Sequence, residues 1–399
     1  MSQSMKPLQS RPDVPFTQRM SNITKIKDLY LATQAGYDQA EALAKAKSTE
    51  TAAFQSSISK DDYDQKCRAE ISTLERTQLR STLGDQPGYD RDGPRETIGA
   101  YKGTYHRSGL FSTVYQAYDQ HEGSLALKVT VPSQCAPPHN PLREARILAK
   151  ANHRSIIPLL NTFSLPGGKF TLVFPFLPID LETLLHDSSR NRCPLTHKQL
   201  STILHDLFSG LAHLHSLDIF HRDIKPSNIL LQNINGPAYI ADFGIAWTGD
   251  DPASEPADQK ITDVGTTAYR PPELLFGNKS YGCGLDLWAA GCVVAEVVAG
   301  IPYPTLFDSG PLGSDLALIQ SHFQTLGTPT DETWPEASTF SDWGKMSFHM
   351  YPSRSWAEIL PQASEPARDL VGGLVVYQSS DRMAAKDALK HPFFVLGKI

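Results

Sequence analysis

Positive charge is in short supply in this sequence. Its 399 residues hold 37 Lys and Arg against 43 Asp and Glu, a net charge of −6, which argues against bulk binding of nucleic acid or of an anionic membrane surface. Long apolar runs are missing too: the most apolar stretch, Cys292 to Ala299, contains Glu296 and is far too short to cross a bilayer. The five cysteines, Cys67, Cys135, Cys193, Cys283 and Cys292, form no CxxC pair, and an odd count does not suit a closed disulfide set, so free thiols are expected. No charged start leads into an apolar core at the N-terminus, and the chain is expected in the nucleus and/or cytoplasm. No internal repeat suggests a solenoid.

What the chain does have is a change of character along its length. Residues 1 to 20 carry Ser, Gln, Pro and both charge signs without periodic apolar positions, and are assigned no structure. From about Asn22 to Leu83 the composition shifts to Ala, Gln, Lys and Glu, and Tyr63, Cys67, Ile71 and Leu74 recur at helical spacing. One or two helices are predicted there, in an extension otherwise read as weakly ordered. Thr82 to Pro94, with Gly84, Pro87, Gly88, Gly93 and Pro94, reads as a linker. Strand-like runs follow from Ile98 to about Phe174, interrupted by one helical segment, Pro141 to Ala151; after Asp180 the pattern is mainly helical, as at Leu200 to His215 and Gly284 to Gly300.

The chemistry-bearing residues lie in that second part. Residues 219 to 231 read Ile-Phe-His-Arg-Asp-Ile-Lys-Pro-Ser-Asn-Ile-Leu-Leu, and nineteen residues after Asp223 stands Asp242-Phe243-Gly244. Two acidic residues and an Asn at this spacing suit metal-dependent phosphoryl transfer, which needs a positioned base for the attacking hydroxyl and fixed anionic ligands for Mg2+. The two motifs resemble the catalytic loop and metal loop of protein kinases. The resemblance implies that Asp223 takes the substrate proton, Lys225 neutralises the transferred phosphoryl group and marks the serine/threonine class, and Asn228 and Asp242 hold Mg2+. It implies that Thr266 hydrogen-bonds Asp223 and Lys225.

It also implies a fold, α+β and bilobal. An N-terminal extension (1–94) precedes a catalytic domain (95–396) with a small β-rich lobe (95–174), a hinge (175–180) and a larger helical lobe (181–396). The phosphate-covering turn, normally Gly-x-Gly-x-x-Gly, is degenerate here. Its best register is Arg107-Ser108-Gly109-Leu110-Phe111-Ser112-Thr113-Val114, which keeps Gly109, the tip aromatic Phe111 and the adenine-side Val114. Fourteen residues on, Lys128 stands in the apolar run Leu125 to Val129, and Glu144 follows sixteen later on the helical segment, the order of the kinase Lys–Glu pair. Ala126 and Val114 would roof ATP's adenine and Leu230 would floor it. Phe174 reads as the gatekeeper. Pro175 can accept through its C=O, Leu177 can supply both N–H and C=O, and Asp180 completes the nucleotide site.

Further matches narrow the resemblance to the cyclin-dependent kinases of the CMGC group. They are Tyr269 to Gly277 around Glu273, Asp286 to Cys292, Leu326-Gly327-Thr328-Pro329 with Trp334-Pro335, and His391 to Phe394, with Arg382 placed to pair with Glu273. Pro138 to Glu144 aligns with the cyclin-binding helix but keeps only its Pro and its Arg-Glu end, which leaves a cyclin partner uncertain. Of the three arginines that clamp an activation-loop phosphothreonine in this group, Arg143 and Arg222 match; Trp247 stands at the third position, and Ile261, beside Thr262, at the phosphoacceptor.

Together these departures are similar to the fungal monomeric CDK-activating kinases, which implies an activation segment, Asp242 to Glu273, that orders without cyclin or phosphorylation. The implied substrate is a protein, another cyclin-dependent kinase. Gly265, where proline-directed relatives commonly carry Val, is expected to change the pocket for the residue after the phosphoacceptor. A cyclin-dependent kinase with an unusual cyclin, acting in cell cycle or transcription, and a pseudokinase scaffold stand as the alternatives. No direct nucleic-acid or membrane partner is expected.

Overall fold

In a computed structural model of the chain, the residues described are 14, 16–32, 39–57, 59–60, 62–67, 70–71, 74, 95–118, 123–186, 195–310 and 313–395. The chain divides into two compact units, Met1–Arg91 and Asp92–Ile399, with the division inside the expected linker. That linker, Thr82 to Pro94, lies outside the described residues, as do Cys193 and the tail through residue 13.

The N-terminal unit is more regular than its sequence suggests. One helix spans Phe16–Ala32, starting inside the stretch assigned no structure, and a second spans Gln39–Ser56. Residues 62–67 are helical as well. Weak periodicity is offset by tertiary packing, because each helix buries a narrow stripe: Ile23, Ile26, Ala46 and Ile71 form one cluster, Ala53, Tyr63 and Cys67 another. The buried Glu50 carboxylate is satisfied by Arg19, through Nε at 2.6 Å and Nη2 at 2.8 Å, and by the Tyr63 hydroxyl at 2.9 Å.

The second unit begins with an antiparallel six-stranded sheet: β1 (Arg95–Ile98), β2 (Tyr101–Ser108), β3 (Ser112–Tyr118), β4 (Ser124–Thr130), β5 (Asn161–Leu165) and β6 (Lys169–Pro175), in the order β1-β2-β3-β4-β6-β5. One helix of any length, Pro141–Lys150, interrupts the strands, opened by Asn140, whose side chain accepts from the Leu142 and Arg143 N–H groups ahead of Pro141. The rest is mainly helical. His197–Ser216 starts with a Thr196/Gln199 capping box and lies against the short strand Ala238–Ile240, where Gly210 permits the approach: a Cβ there would stand 2.7 Å from Ile240 Cδ1. Gly284–Ala299 is buried almost all round and carries Trp288 and Asp286 into the interior. Glu273 and Arg382 meet as expected, at 2.6 and 2.7 Å, fully enclosed. Among the described residues no helix is long and apolar enough to cross a membrane, and Cys67, Cys135, Cys283 and Cys292 are free thiols.

Candidate active site

The site lies where the sheet's inner face meets two loops of the helical lobe. The register Val114↔Lys128 and Ala126↔Phe174 puts Lys128 and Ala126 on the middle strand β4, flanked by the turn strand and the gatekeeper strand. The β2–β3 hairpin closes at Gly109 to Phe111, with Arg107 paired to Val114 and the Gly109 N–H on the Ser112 carbonyl at 2.7 Å, which is the register read from the sequence. Phe111 turns inward, its ring centroid 4.8 Å from that of His139, just before the Pro141–Lys150 helix.

Lys128 joins two carboxylates from different parts of the chain. Its Nζ lies 2.7 and 2.9 Å from the Glu144 oxygens and 2.7 Å from Asp242 Oδ1. Burial alone would lower the Lys128 pKa, but Asp242 and Glu144 outweigh it and raise it. Lys128 in turn holds Asp242 well below the usual carboxylate range. Glu144, enclosed, is pushed upward by burial against the pull of Lys128. Asp242 keeps 51% of its side-chain surface exposed, so it can face a ligand. Its φ of +65° is in the left-handed region, which Asp tolerates better than most residues and which concentrates at functional sites. Next to it Gly244 leaves room: a Cβ would stand 3.3 Å from Asp242 Oδ1 and 3.7 Å from Lys128 Nζ.

The second loop is held from beneath. Asp286, on the Gly284–Ala299 helix, accepts from the backbone N–H groups of His221 and Arg222, both at 2.9 Å, and from His215 Nε2 at 3.1 Å. Burial would raise the Asp286 pKa, but these donors, His215 foremost, bring it below the ordinary value. His221 donates Nε2–H to the Ala241 carbonyl at 3.0 Å, tying this loop to the Asp242 loop. Asp223 is then fixed at both oxygens. Oδ1 accepts from the Thr266 N–H and hydroxyl, each at 2.9 Å; Oδ2 lies 2.9 Å from Lys225 Nζ and 3.0 Å from Asn228 Nδ2. The Thr266 hydroxyl also accepts from Lys225 at 2.7 Å. All the residues expected around Asp223 therefore converge.

The residues expected around the nucleotide fit it in part by what they leave open. Among the described residues, no other backbone group pairs with the Leu177 N–H or C=O. Ala126, Leu177 and Leu230 are partly buried hydrophobics packed on the core, and Phe174 is buried within it. Asp180 spends Oδ1 on the Thr183 N–H at 2.7 Å, opening the short helix Leu181–His186. Asn228 uses its amide nitrogen on Asp223, which leaves the amide oxygen to face a cation, and Asp242 offers a carboxylate; both are hard oxygen donors of the kind that suits a divalent metal beside phosphates.

Some contacts have no motif behind them. Arg146 grips Asp251 through Nε at 2.7 Å and Nη2 at 2.8 Å, and Arg143 Nη1 donates to the Ala253 carbonyl at 3.0 Å, so the activation segment holds the helix that carries Glu144. Asp286 has a signal, since it lies in a quoted motif; Asp251 has none. Gly265 sits at φ +78°, where a Cβ would be 2.8 Å from the Arg222 carbonyl, and its own carbonyl accepts from Arg270 Nε at 2.9 Å.

Comparison with known proteins agrees with this geometry. Residues 108–394 match the protein kinase domain. Serine/threonine-protein kinase csk1 of Schizosaccharomyces pombe is 38% identical over 248 residues, 61% of this chain and 77% of that one. Cyclin-dependent kinase 7 of Xenopus laevis is 35% identical over 292 residues, 72% and 78% of the two chains, and human cyclin-dependent kinase 20 is 35% identical over 257 residues, 64% and 70%. Lys128 paired with Glu144, Asp223 braced by Thr266, and a match over most of the chain make it a member of the protein kinase family: an ATP- and divalent-metal-using serine/threonine kinase of the cyclin-dependent kinase group.

Proposed function

We propose that this kinase transfers the γ-phosphoryl group of Mg-ATP to the activation-loop threonine of other cyclin-dependent kinases, without an obligate cyclin. The observation that carries the cyclin-free reading is the Arg146–Asp251 pair with Arg143 on Ala253: the Glu144 helix is held in place from inside the chain. In the reaction, Asp223 accepts the proton of the substrate hydroxyl, its carboxylate oriented by Thr266 and Asn228. Lys225, already beside Asp223 and Thr266, neutralises charge on the transferred group. Lys128, oriented by Glu144, binds the α- and β-phosphates. Asn228 and Asp242 would hold Mg2+, which would supply neutralisation of phosphate charge. Val114, Ala126 and Leu230 enclose the adenine, Pro175 and Leu177 offer hinge groups, and Asp180 completes that site. The nucleus and/or cytoplasm is the compartment we assign.

The test uses purified chain, Mg-ATP and an inactive cyclin-dependent kinase, with no cyclin added to the enzyme, Asp223→Asn as control, and phosphosites mapped by mass spectrometry. Asp223-dependent phosphate on the substrate's activation-loop threonine is the expected result. A second reading, a cyclin-requiring kinase acting in cell cycle or transcription, is favoured by one feature. Gly265 lines the pocket with Asp223, Thr266, Tyr269 and Arg270, and Arg270 occupies its carbonyl. A substrate N–H finds no acceptor there, a condition that suits proline after the phosphoacceptor. Activity confined to proline-following sites and appearing only with added cyclin would select this reading.

A further inference from the structure

Two arginines meet under the activation segment with their side chains almost wholly enclosed, Arg143 2% exposed and Arg222 0%. Two guanidiniums held together out of water are costly unless an anion lies between them. Here the anion is Glu255. Its Oε1 is 3.1 Å from Arg222 Nη1 and its Oε2 3.5 Å from Arg143 Nη1. Asp251, the other nearby carboxylate, is already committed to Arg146. Trp247 secures the same residue differently, donating Nε1–H to the Glu255 carbonyl at 2.9 Å.

Other Arg222 donors tie it to the segment directly or through Tyr281, while Arg222 Nη2 and Arg143 Nε are buried without a partner among the described residues. Arg222 Nε reaches the Ile245 carbonyl at 2.5 Å, and Arg222 Nη1 donates to the Tyr281 hydroxyl, which donates to the Ile261 carbonyl at 2.7 Å. Ile261 itself packs on the cluster of Phe220, Ile245, Trp247, Val264, Leu274 and Tyr281. An apolar residue in an apolar nest thus occupies the point where a phosphate would be expected.

Position in the chain gives these contacts their reach. Arg143 immediately precedes Glu144, the partner of Lys128, and Arg222 immediately precedes Asp223. One carboxylate therefore links the nucleotide side of the site to the hydroxyl side. Phosphorylation elsewhere orders such segments by placing negative charge opposite an arginine cluster. A carboxylate carries about half the charge of a phosphate, and it faces two cations with Trp247 as a neutral third contact.

We propose that Glu255 is a built-in substitute for activation-segment phosphorylation: a positioning residue whose fixed charge orders residues 245–266 and, through Arg143 and Arg222, sets Glu144 and Asp223. The proposal rests on the reading of the chain as an autonomous kinase.

The test compares the full chain with Glu255→Gln and Glu255→Asp, each before and after phosphatase treatment, on the substrate above. Expected are phosphatase-insensitive activity in the parent, a kcat about 10- to 100-fold lower in Glu255→Gln with KM for ATP changed less than about threefold, and partial recovery in Glu255→Asp. Hydrogen exchange should quicken in residues 141–150 and 245–266 and not in the His197–Ser216 helix. In an Arg143→Met/Arg222→Met background, adding Glu255→Gln should change kcat by less than about twofold.

Full activity in Glu255→Gln, loss of parent activity on phosphatase treatment, or faster exchange throughout the domain would each overturn the proposal. A parent chain inactive before any phosphatase treatment would instead sink the proposed function, and hydrogen exchange would then decide the role of Glu255 alone.

Discussion

Two ion clusters in the kinase unit are built from the same chemistry and put to opposite uses. Arg382 and Glu273 meet at 2.6 and 2.7 Å with side chains 0% and 1% exposed, and Arg382 also donates to the carbonyls of Gly284, Val376 and Tyr377. Nothing can enter. Lys128, Glu144 and Asp242 are as close, yet Asp242 is half open and the cluster holds two anions for one cation. A closed, saturated pair stabilises one conformation; an open triad with excess negative charge can take up a cation. Spacing in the sequence does not separate the two cases, but exposure does.

The comparison can be broken most strongly at the closed pair. Arg382→Met strands the Glu273 carboxylate, and a stability loss of about 3–5 kcal/mol is expected, read as a lower denaturant midpoint, with residual folded enzyme still active. Lys128→Met should do the reverse. A kcat/KM lower by about 10²–10³-fold is expected with a fall in denaturant midpoint smaller than that of Arg382→Met, because of the two freed carboxylates only Glu144 is enclosed while Asp242 borders solvent; equal losses of stability in both variants would erase the distinction.

A subtler probe is Gly244→Ala, whose Cβ would press on Asp242 Oδ1 at 3.3 Å; about a tenfold fall in kcat/KM is expected from steady-state assays, with Arg382–Glu273 and overall stability untouched. The smallest effect belongs to the Arg146–Asp251 contact. Arg146 is partly exposed, so Arg146→Met should cost about 1 kcal/mol or less by denaturation. Arg146 holds the Asp251 pKa below its ordinary value, so the contact's contribution is complete above about pH 4 and lost as pH falls through the folded value. The parent and Arg146→Met stability curves should therefore run parallel between about pH 6 and 8 and converge in acid.

Much of this was legible because the chemistry depends on short, ordered strings. Asp223 with Asn228, Asp242 with Gly244, and Lys128 ahead of Glu144 carry their spacing in the chain, and the sequence register of the Gly109 turn matches the hairpin observed. Arg382 with Glu273 was readable for the same reason. Glu255 was not: its partners lie at Arg143 and Arg222, its neighbours Ser254 and Pro256 say nothing of burial, and only folding brings the charges together. The early start of the first helix, at Phe16, escaped notice because its apolar stripe is narrow and gains definition from Ala46 and Ile71, distant in sequence. Gly265 shows a reading that needed geometry. At its φ of +78° a Cβ would stand 2.8 Å from the Arg222 carbonyl, a constraint on the backbone that the sequence does not display.

The Arg146–Asp251 and Arg143–Ala253 contacts have a thermodynamic corollary. The segment that carries Asp251 and Ala253 also holds the helix that presents Glu144 to Lys128. Should a ligand that steadies residues 251–253 raise the affinity for nucleotide, linkage requires that nucleotide raise the affinity for that ligand by the same factor. An inhibitor directed at the segment's outer surface thus need not touch the cleft to compete with ATP; it has only to prefer the arrangement in which Asp251 has let go.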